Sequence, residues 1–455
     1  MFAWTLQPIK QPREMCRAAR IAGSMLLATA SNLAQPAPPH APAMDLSLSK
    51  AIQIAVSAAG DTSVQMAQEA ERASAANYTE VRSTLLPALE GSMAEQDQTV
   101  NPKALGLRFE SPAFTVPDSV GPFSTFDARL RLNAKLLDMS ALRHRQAAAM
   151  SWQAAKSETE SVRERVAAAV ARLYSAALRA EEQSEVAALN LKEAEAARDL
   201  AAHRAAAGES ADIEVSRANL TVAQDKQRLI EADTELARSS LQLVKILQLN
   251  WDTPLHLTSS LSSPRPETRT AAELVALALK SRAAFKVQDE RIESAQLEHS
   301  AAARARLPSV VAYADYGVLA GVATYTVGAG VRVPLFDGGR IRSEKMSTES
   351  VMRQEQIRRK EIEREVELEV RQALAVLDSA RQQVDVADQA IAVAQDEVGR
   401  ADRRFDAGLA NGLEVVDART RLEVARYDRV TALFGCANAR IDLAEATGTV
   451  SSTEF

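Results

Sequence analysis

The segment Pro334-Leu-Phe-Asp-Gly-Gly-Arg340 marks the point where an alternating stretch of the sequence gives way to a long helical one. A related boundary, Leu136-Leu-Asp138, lies about 200 residues earlier and also precedes a long helical stretch. The distance from the boundary aspartate to the glycine of the next turn is almost equal in the two copies: 70 residues from Asp138 to Gly208 and 71 from Asp337 to Gly408. This repetition predicts two equivalent units, each a pair of strands followed by a long helical hairpin.

The sequence before each boundary predicts a strand with two different faces. Apolar and polar side chains alternate at residues 126–136, and the alternation recurs at residues 325–333. Strands of about 10 residues are longer than those usual in soluble sheets and match a tilted membrane crossing. A long amphipathic strand of a soluble sandwich would show the same pattern. The membrane interpretation places the charged side chains of the polar faces in a water-filled lumen: Arg129, Arg131, Lys135 and Arg332.

The number of such strands predicts self-association. Two repeats supply four strands, which are too few to close a barrel. An open sheet edge inside lipid leaves backbone groups unpaired, at a cost of several kcal/mol for each group. If the strands cross a membrane, several chains must therefore contribute strands to one barrel.

The helical stretch after Gly339 carries a coiled-coil seam. Two rows of apolar residues each recur every seven positions, offset by four and three. The first row is Val370, Leu377, Val384, Ile391, Val398 and Phe405, and the second is Val366, Ala373, Ala380, Ala387, Ala394 and Ala401. A helix from Gly339 to Ala407 would be about 100 Å long. Residues 413–446 would form the returning helix, so the seam predicts a long hairpin that turns at Gly408.

Composition favours long helices over several compact domains. Only 4% of the 455 residues are aromatic, and the helical stretches are rich in alanine, glutamate, arginine and leucine. The formal net charge of −6 provides no basic surplus for nucleic-acid binding. An enzyme is not expected, because the five histidines lack metal-ligand spacing and no phosphate loop or nucleophile motif is present. We therefore expect no metal and no cofactor.

The predicted organisation has five parts. Residues 1–34 are typical of a secretory signal peptide, because basic residues precede a short apolar run that ends in small residues. The remaining parts are a first repeat at 35–250, a linker at 251–270, a second repeat at 271–448 and a C-terminal tail at 449–455. The linker is expected at mid-height on the helices, because the returning helix of the first repeat is much shorter than its partner. A continuous helix is expected from about Leu48 to Leu85.

Together these features resemble the TolC-like outer-membrane efflux proteins over roughly residues 45–448. The most specific shared parts are Pro334-Leu-Phe-Asp-Gly-Gly-Arg340 and Arg404-Phe-Asp-Ala-Gly408, followed by Leu413-Glu-Val-Val-Asp-Ala418. The resemblance implies a mainly α fold with a small transmembrane β part, assembled as a homotrimeric α/β barrel channel. Its twelve strands would lie in the outer membrane and its helices in the periplasm. The implied role is a passive exit duct for efflux or secretion, coupled to an inner-membrane pump through a periplasmic adaptor.

The resemblance also suggests a site near the second turn. Glu414 and Asp417 lie three residues apart on one helical face, where similar channels narrow. Three copies would gather six carboxylates around the axis and favour cations. Acidic residues are also favoured at any helix start, because they complement the helix dipole. Phe405 and Ala410 replace the tyrosine and arginine that can latch such entrances, so closure is expected to rest on other contacts.

Two glycines and two aspartates are expected to shape the repeats. Gly208 and Gly408 would end the long helices in a left-handed conformation, and the resulting tips would contact the adaptor. Asp138 and Asp337 would cap the helices that follow the strands.

Two other interpretations are compatible with the sequence. A soluble periplasmic coiled-coil adaptor or scaffold would explain the seams, but it has no need for the alternating segments at 126–136 and 325–333, and it should stay soluble without detergent. An outer-membrane relative without an open pore would share every feature and would differ in conductance or export.

Overall fold

The structure is a computed structural model that describes residues 44–102, 104, 106, 119–208, 212–261 and 266–450. The expected signal peptide at 1–34 lies outside the described residues, as do part of the linker and most of the C-terminal tail. In chain order the described elements are β1 (Met44–Leu46), α1 (Leu48–Val56), α2 (Thr62–Ser83), β2 (Ala88–Val100), β3 (Val120–Leu137), α3 (Met139–Ala206), α4 (Asp212–Ile246), β4 (Leu255–Leu257), α5 (Ala271–Ser281), α6 (Ala283–Arg304), β5 (Ser309–Leu319), β6 (Val322–Arg332), α7 (Arg340–Asp406) and α8 (Gly412–Thr447).

The four long strands form one antiparallel sheet in the order β2-β3-β5-β6. β3 begins at Val120, earlier than the predicted start at residue 126, and β2 continues through Gly91 without a break. Arg129 pairs with Gly317 across β3 and β5, and paired residues point to the same side of a sheet. The apolar and polar faces of β3 therefore continue onto β5, β6 and the first half of β2. Beyond Met93 the apolar face of β2 carries Glu95 and Asp97, so the alternation ends there.

The helices form a row in which two positions are continuous and two are interrupted. α3 packs against α2, α4, α6 and α8, and α7 packs against α6 and α8. α2 and α6 lead into the strands, whereas α4 and α8 return from the turns at the opposite end. Each interrupted position is thus filled by two shorter helices placed end to end: α2 and α4 on one side of α3, and α6 and α8 between α3 and α7. α3 and α7, with 68 and 67 residues, each run for about 100 Å from the sheet to a turn. None of the described helices combines the length and the apolar character that a bilayer-spanning helix requires.

The predicted coiled-coil seam of α7 is confirmed. All six members of the alanine-rich row are buried. The row of large residues is buried at Val370, Leu377 and Val384 and half-buried closer to the turn. Alanine brings the helix backbones close together, while the larger residues fill the space beside it. Cys436 is fully buried where α8 packs on α5 and α7.

At mid-height, two short strands and one tyrosine bind the linker to α3. β1 and β4 pair in parallel, and neither was predicted from sequence. The hydroxyl of the buried Tyr174 donates to the carbonyl of Leu46 at 2.8 Å and accepts the N–H of Ser259 at 3.2 Å. Because Tyr174 is near the centre of α3, these hydrogen bonds hold the linker against the middle of the long helix.

The prediction of one continuous helix from Leu48 to Leu85 is wrong. α1 ends at Val56 and α2 begins at Thr62. The carboxylate of Asp61 accepts the N–H of Ser63 at 2.7 Å and caps the second helix. The break separates α1, which packs in the mid-height core, from α2, which runs along α3 toward the sheet.

The two aspartates predicted as caps differ in position. Asp138 is the N-cap of α3, and its Oδ1 accepts the N–H of Ala141 at 2.9 Å. Asp337 is not the N-cap of α7, because Gly339 occupies that position with a φ of 91°. The carboxylate of Asp337 nevertheless accepts the N–H groups of Ile341 at 2.8 Å and Gly339 at 3.0 Å. These donors lower the pKa of Asp337 below its ordinary value. The carboxylate in turn satisfies backbone N–H groups at the start of α7, although Asp337 lies two residues before the N-cap.

Glu164 gives the mid-height region a pH dependence. It is half-buried on α3 and interacts with Arg282 at the junction of α5 and α6. Burial raises the pKa of Glu164 from 4.5 to about 7, although Arg282 opposes the shift. Because the folded pKa lies above the unfolded one, stability is lost as the pH rises between these values.

Glu164→Gln is therefore expected to raise the thermal unfolding temperature at pH 8 and to leave it nearly unchanged at pH 4.5. Because solvent screens a half-exposed group, the expected gain in the free energy of unfolding at pH 8 is only about 1 kcal/mol. Thermal scans at both pH values measure the effect, with the exposed Glu195→Gln on the same helix as control. An equal benefit at both pH values would show that ionisation of Glu164 is not its cause.

Candidate functional site

Two turns form the end of the molecule opposite the sheet. α3 ends at Ala206 and α7 ends at Asp406. Gly208 and Gly408 have φ values of 76° and 69°, a left-handed conformation that glycine adopts at little cost. The N–H of Gly408 donates to the carbonyl of Phe405 at 2.9 Å and helps to terminate the helix. The chain then reverses into α8, as it reverses into α4 after the first turn.

Arg204 joins the two turns. Its Nη2 donates to Oδ1 of Asp406 at 2.8 Å, and its guanidinium carbon lies 5.0 Å from the centre of the Phe405 ring. Arg204 belongs to the first repeat and both partners belong to the second. The contact thus holds the tips of the two hairpins together. Sequence reasoning anticipated other contacts in place of a tyrosine–arginine latch, but no local pattern connects Arg204 with a residue 202 positions away.

Glu414 and Asp417 lie on the first turns of α8 in different surroundings. Oε1 of Glu414 is 3.4 Å from Nε of Arg404, whereas Asp417 is exposed. The side chain of Asn411 accepts the N–H of Glu414 at 3.1 Å and caps α8. Sequence reasoning missed Asn411, although an asparagine three residues before a glutamate is a recognisable helix start. Arg404 partly neutralises Glu414, so Asp417 is the more available carboxylate.

Further from the turns, two arginines connect the hairpins through hydrogen bonds. Arg228 of α4 donates to Oε2 of Glu423 on α8 at 2.6 Å. Arg426 of α8 donates to Oδ1 of Asn190 on α3 at 2.6 Å. Burial raises the pKa of Glu423, and Arg228 opposes that shift. These contacts connect both repeats over several helical turns beyond the tip.

The polar face of the sheet carries charges of both signs. The predicted lumen residues share this face: Arg129, Arg131, Lys135 and Arg332. Arg129 is paired with Asp127 at 2.6 Å and lies 3.7 Å from Asp315 on β5. Glu90 of β2 is opposite Arg131. The acidic residues from three strands therefore offset the cations, and the face is mixed rather than uniformly cationic.

The fold and the turn region define a channel subunit, in which a sheet with one apolar face continues into long helical hairpins. The sequence matches the family described as outer membrane efflux protein over residues 54–248 and 274–449. The chain belongs to this family.

Individual relatives and solved structures agree with this assignment. The chain is 26% identical over 344 residues to the pyoverdine export outer membrane protein OpmQ of Pseudomonas putida, covering 71% of each. Its fold matches the CmeC outer membrane channel of Campylobacter jejuni with a TM-score of 0.73 at 17% identity, covering 90% of this chain and 87% of that one. The outer membrane protein VceC of Vibrio cholerae gives 0.72 at 19% identity, with 88% and 96% covered.

Family membership decides between the channel and the soluble-scaffold interpretations of the sequence. Channels of this family are homotrimers that pair with periplasmic adaptors and inner-membrane pumps. The chain is an outer-membrane exit duct of an efflux system, and its helices extend into the periplasm. The family consists of transport channels rather than enzymes. The predictions of fold class, function, partners and location are confirmed, and the alternative of a soluble periplasmic scaffold is wrong.

Proposed function

We propose that three copies of this chain close one passive tube, with the sheets as a membrane barrel and the helices as a periplasmic barrel. The observation that carries the proposal is the open flank on each side of the subunit. Within the described residues, β2 pairs only with β3, and β6 pairs only with β5. β2 and β6 point in opposite directions, so β6 of one copy can pair with β2 of the next in antiparallel fashion. Three copies then leave no strand edge in lipid.

The helical row supports the same closure. α7 forms one flank of the row, and α4, continued by α2, forms the other. Both flanks expose apolar side chains in the single chain: Leu368, Val376, Val386 and Val393 on α7, and Ile213, Leu220, Ile230 and Leu241 on α4. Contact between α7 of one copy and α4 of the next removes this surface from water, which is favourable by about 25 cal/mol per Å².

In this tube each repeat, 35–250 and 271–448, supplies one strand pair and one hairpin, and the linker at 251–270 joins them at mid-height. The tips shaped by Gly208 and Gly408 present the docking surface for the adaptor. Leu409 supports that assignment, because it is an apolar side chain that remains 73% exposed at the second tip. The duct itself catalyses no reaction.

Glu414 and Asp417 form the constriction of the tube in this proposal, and their carboxylates favour cations. An exposed ion pair is worth about 0.2–1 kcal/mol. Asp417→Ala is therefore expected to lower cation selectivity by about twofold, and Glu414→Ala by less, because Arg404 already neutralises part of the Glu414 charge. The double variant should show the largest loss and weaker block by multivalent cations.

Reversal potentials across planar bilayers with a salt gradient measure this selectivity. Glu231→Ala is the control, because Glu231 is an exposed acid on α4 about 30 Å from the turn. Unchanged selectivity in the double variant would show that Glu414 and Asp417 do not form the constriction. The proposal that three copies close a tube would not be affected.

The name of the Pseudomonas relative suggests the cargo to test. We propose that this duct exports small secreted molecules of the pyoverdine kind, since the relative aligned over 71% of this chain is a pyoverdine export protein. Expression of this chain in Pseudomonas putida cells that lack OpmQ is expected to restore pyoverdine in the culture medium. A trimer present in the outer membrane without restored export would contradict the cargo proposal and leave the conduit proposal intact.

A further inference from the structure

A cavity of about 330 Å³ lies between the two hairpins near the turns, and α3, α4, α7 and α8 all contribute to its wall. Small residues leave this space open: Ala194, Ala197 and Ala201 on α3 and Ala218 on α4. Larger apolar residues complete the wall, among them Leu200, Phe405 and Val415. The cavity opens to solvent beside Leu200, which is half-exposed, so part of its apolar wall contacts water. A ligand that covers this apolar surface would be favoured by about 25 cal/mol per Å².

One hydrogen-bond donor in the wall has no partner. Asn190 lines the cavity and is only 2% exposed. Its Oδ1 accepts from Arg426, which has no acceptor atom, so this contact determines the orientation of the amide. Nδ2 of Asn190 then lacks a hydrogen-bond partner among the described residues. A buried donor in that state costs about 1–3 kcal/mol, which an acceptor atom in the cavity would recover.

The charged side chains around the cavity are already paired. The pairs are Arg204 with Asp406, Arg217 with Glu214, Arg419 with Asp402, Arg426 with Glu193, and Arg228 with Glu423. Each charge in the described wall therefore already has a partner, and a charged ligand would compete with that partner. An uncharged ligand would leave all of them in place.

We propose that this cavity binds an uncharged, mainly apolar small molecule with one hydrogen-bond acceptor, such as an aromatic ketone. The rings would contact the alanines and Phe405, and the carbonyl oxygen would accept from Nδ2 of Asn190. The volume lies at the lower end of the range for small-molecule sites. Because both hairpins form the wall, the ligand bridges the two repeats beside the Arg204–Asp406 contact. The site lies inside the channel wall and does not depend on the identity of the transported cargo.

Benzophenone tests this proposal, because it is an uncharged diaryl ketone that also forms crosslinks. On near-ultraviolet irradiation its carbonyl oxygen takes a hydrogen atom from a nearby C–H bond, and the two carbon radicals join in a new C–C bond. Purified full-length trimer in detergent is irradiated with benzophenone, and the labelled peptides are identified by mass spectrometry. We expect labels within residues 190–204, 214–221 and 402–423. Labels on the strands, which contact detergent, provide the internal reference.

Variants separate this site from non-specific labelling. Ala218→Trp fills the cavity and is expected to abolish its labelling while the strand labelling persists. Ala223→Trp is the control, because Ala223 is exposed on the same helix outside the wall. Ala197→Trp is a second blocking variant if the first does not assemble. The proposed site would be overturned if the cavity were not labelled in the native trimer. It would also be overturned if the labelling persisted in the blocking variants.

Competition tests the role of Asn190. With deuterated benzophenone as the photolabel, ordinary benzophenone is expected to compete about fivefold better than diphenylmethane, which has the same two rings without the oxygen, because a net hydrogen bond is worth about 1 kcal/mol. In Asn190→Leu the two compounds should compete equally. Equal competition in the native trimer would overturn the requirement for an acceptor.

Discussion

Replacing Tyr174 with alanine is expected to lower the free energy of unfolding by about 4 kcal/mol. Tyr174 is 1% exposed in the core where β1, α1, α3 and α4 meet. Loss of the ring leaves a cavity there. Loss of the hydroxyl also leaves the carbonyl of Leu46 and the N–H of Ser259 without this partner. Thermal unfolding of the purified protein in detergent, followed by circular dichroism, measures the change.

Tyr174→Phe separates the two contributions. It retains the ring and removes only the hydroxyl, so we expect a loss of about 1–2 kcal/mol. If the alanine and phenylalanine variants lost equal stability, the hydrogen bonds and not the packing of the ring would dominate. A Tyr174→Ala protein as stable as the native one would contradict the role of this residue at mid-height.

Gly317→Val is expected to prevent assembly of the trimer. A Cβ at Gly317 would lie 2.2 Å from the carbonyl oxygen of Ala128 and 2.7 Å from Cγ of Arg129. Because the closest of these atoms is backbone, β3 and β5 would have to separate. In lipid, water cannot replace the hydrogen bonds lost by the ladder, and each unsatisfied group costs several kcal/mol. Light scattering of the detergent-extracted protein, corrected for bound detergent, is expected to show little or no trimer.

Gly330→Val is the matched control on the neighbouring strand β6. Within one chain its added Cβ would meet only a methyl group of Val311 at 3.9 Å, an ordinary contact distance. We expect this variant to assemble as a normal trimer. Normal assembly of Gly317→Val as well would show that the sheet adapts to the added side chain at low cost.

The long elements are predictable because their patterns are local and repeated. The seven-residue pattern of α7 predicts a helix from Gly339 to Ala407, and the observed helix is Arg340–Asp406. The alternation at 126–136 identifies β3 but not its start at Val120. The register of the sheet explains the extension, because residues as early as Val120 pair with the end of β2.

The elements that sequence reasoning missed depend on distant partners. β1 and β4 have three residues each, too few for a recognisable period, and they are stabilised by pairing with each other and by Tyr174. The break between Val56 and Thr62 interrupts a sequence that otherwise continues to favour helix. Packing of α1 in the mid-height core outweighs that local preference.

In the turn region, too, the features set by local sequence were predictable and those set by distant partners were not. The positions of Glu414 and Asp417 at the start of α8 follow from the turn at Gly408 and were predicted. Their difference could not be predicted, because it arises from the side chain of Arg404 folding back toward α8. The contact between Arg204 and Asp406 depends on two hairpins that only the tertiary fold brings together.

The interrupted positions in the helical row have a mechanical consequence. Among the described helices only α3 and α7 continue past mid-height, so they alone connect the sheet end with the turn end without a break. The part of α3 from Tyr174 to its end at the turn is about 50 Å long. A 5° tilt at Tyr174 moves the tip by about 4 Å, which exceeds the diameter of a water molecule. A slight repacking around Tyr174 is thereby magnified at the end of α3 that forms the first turn.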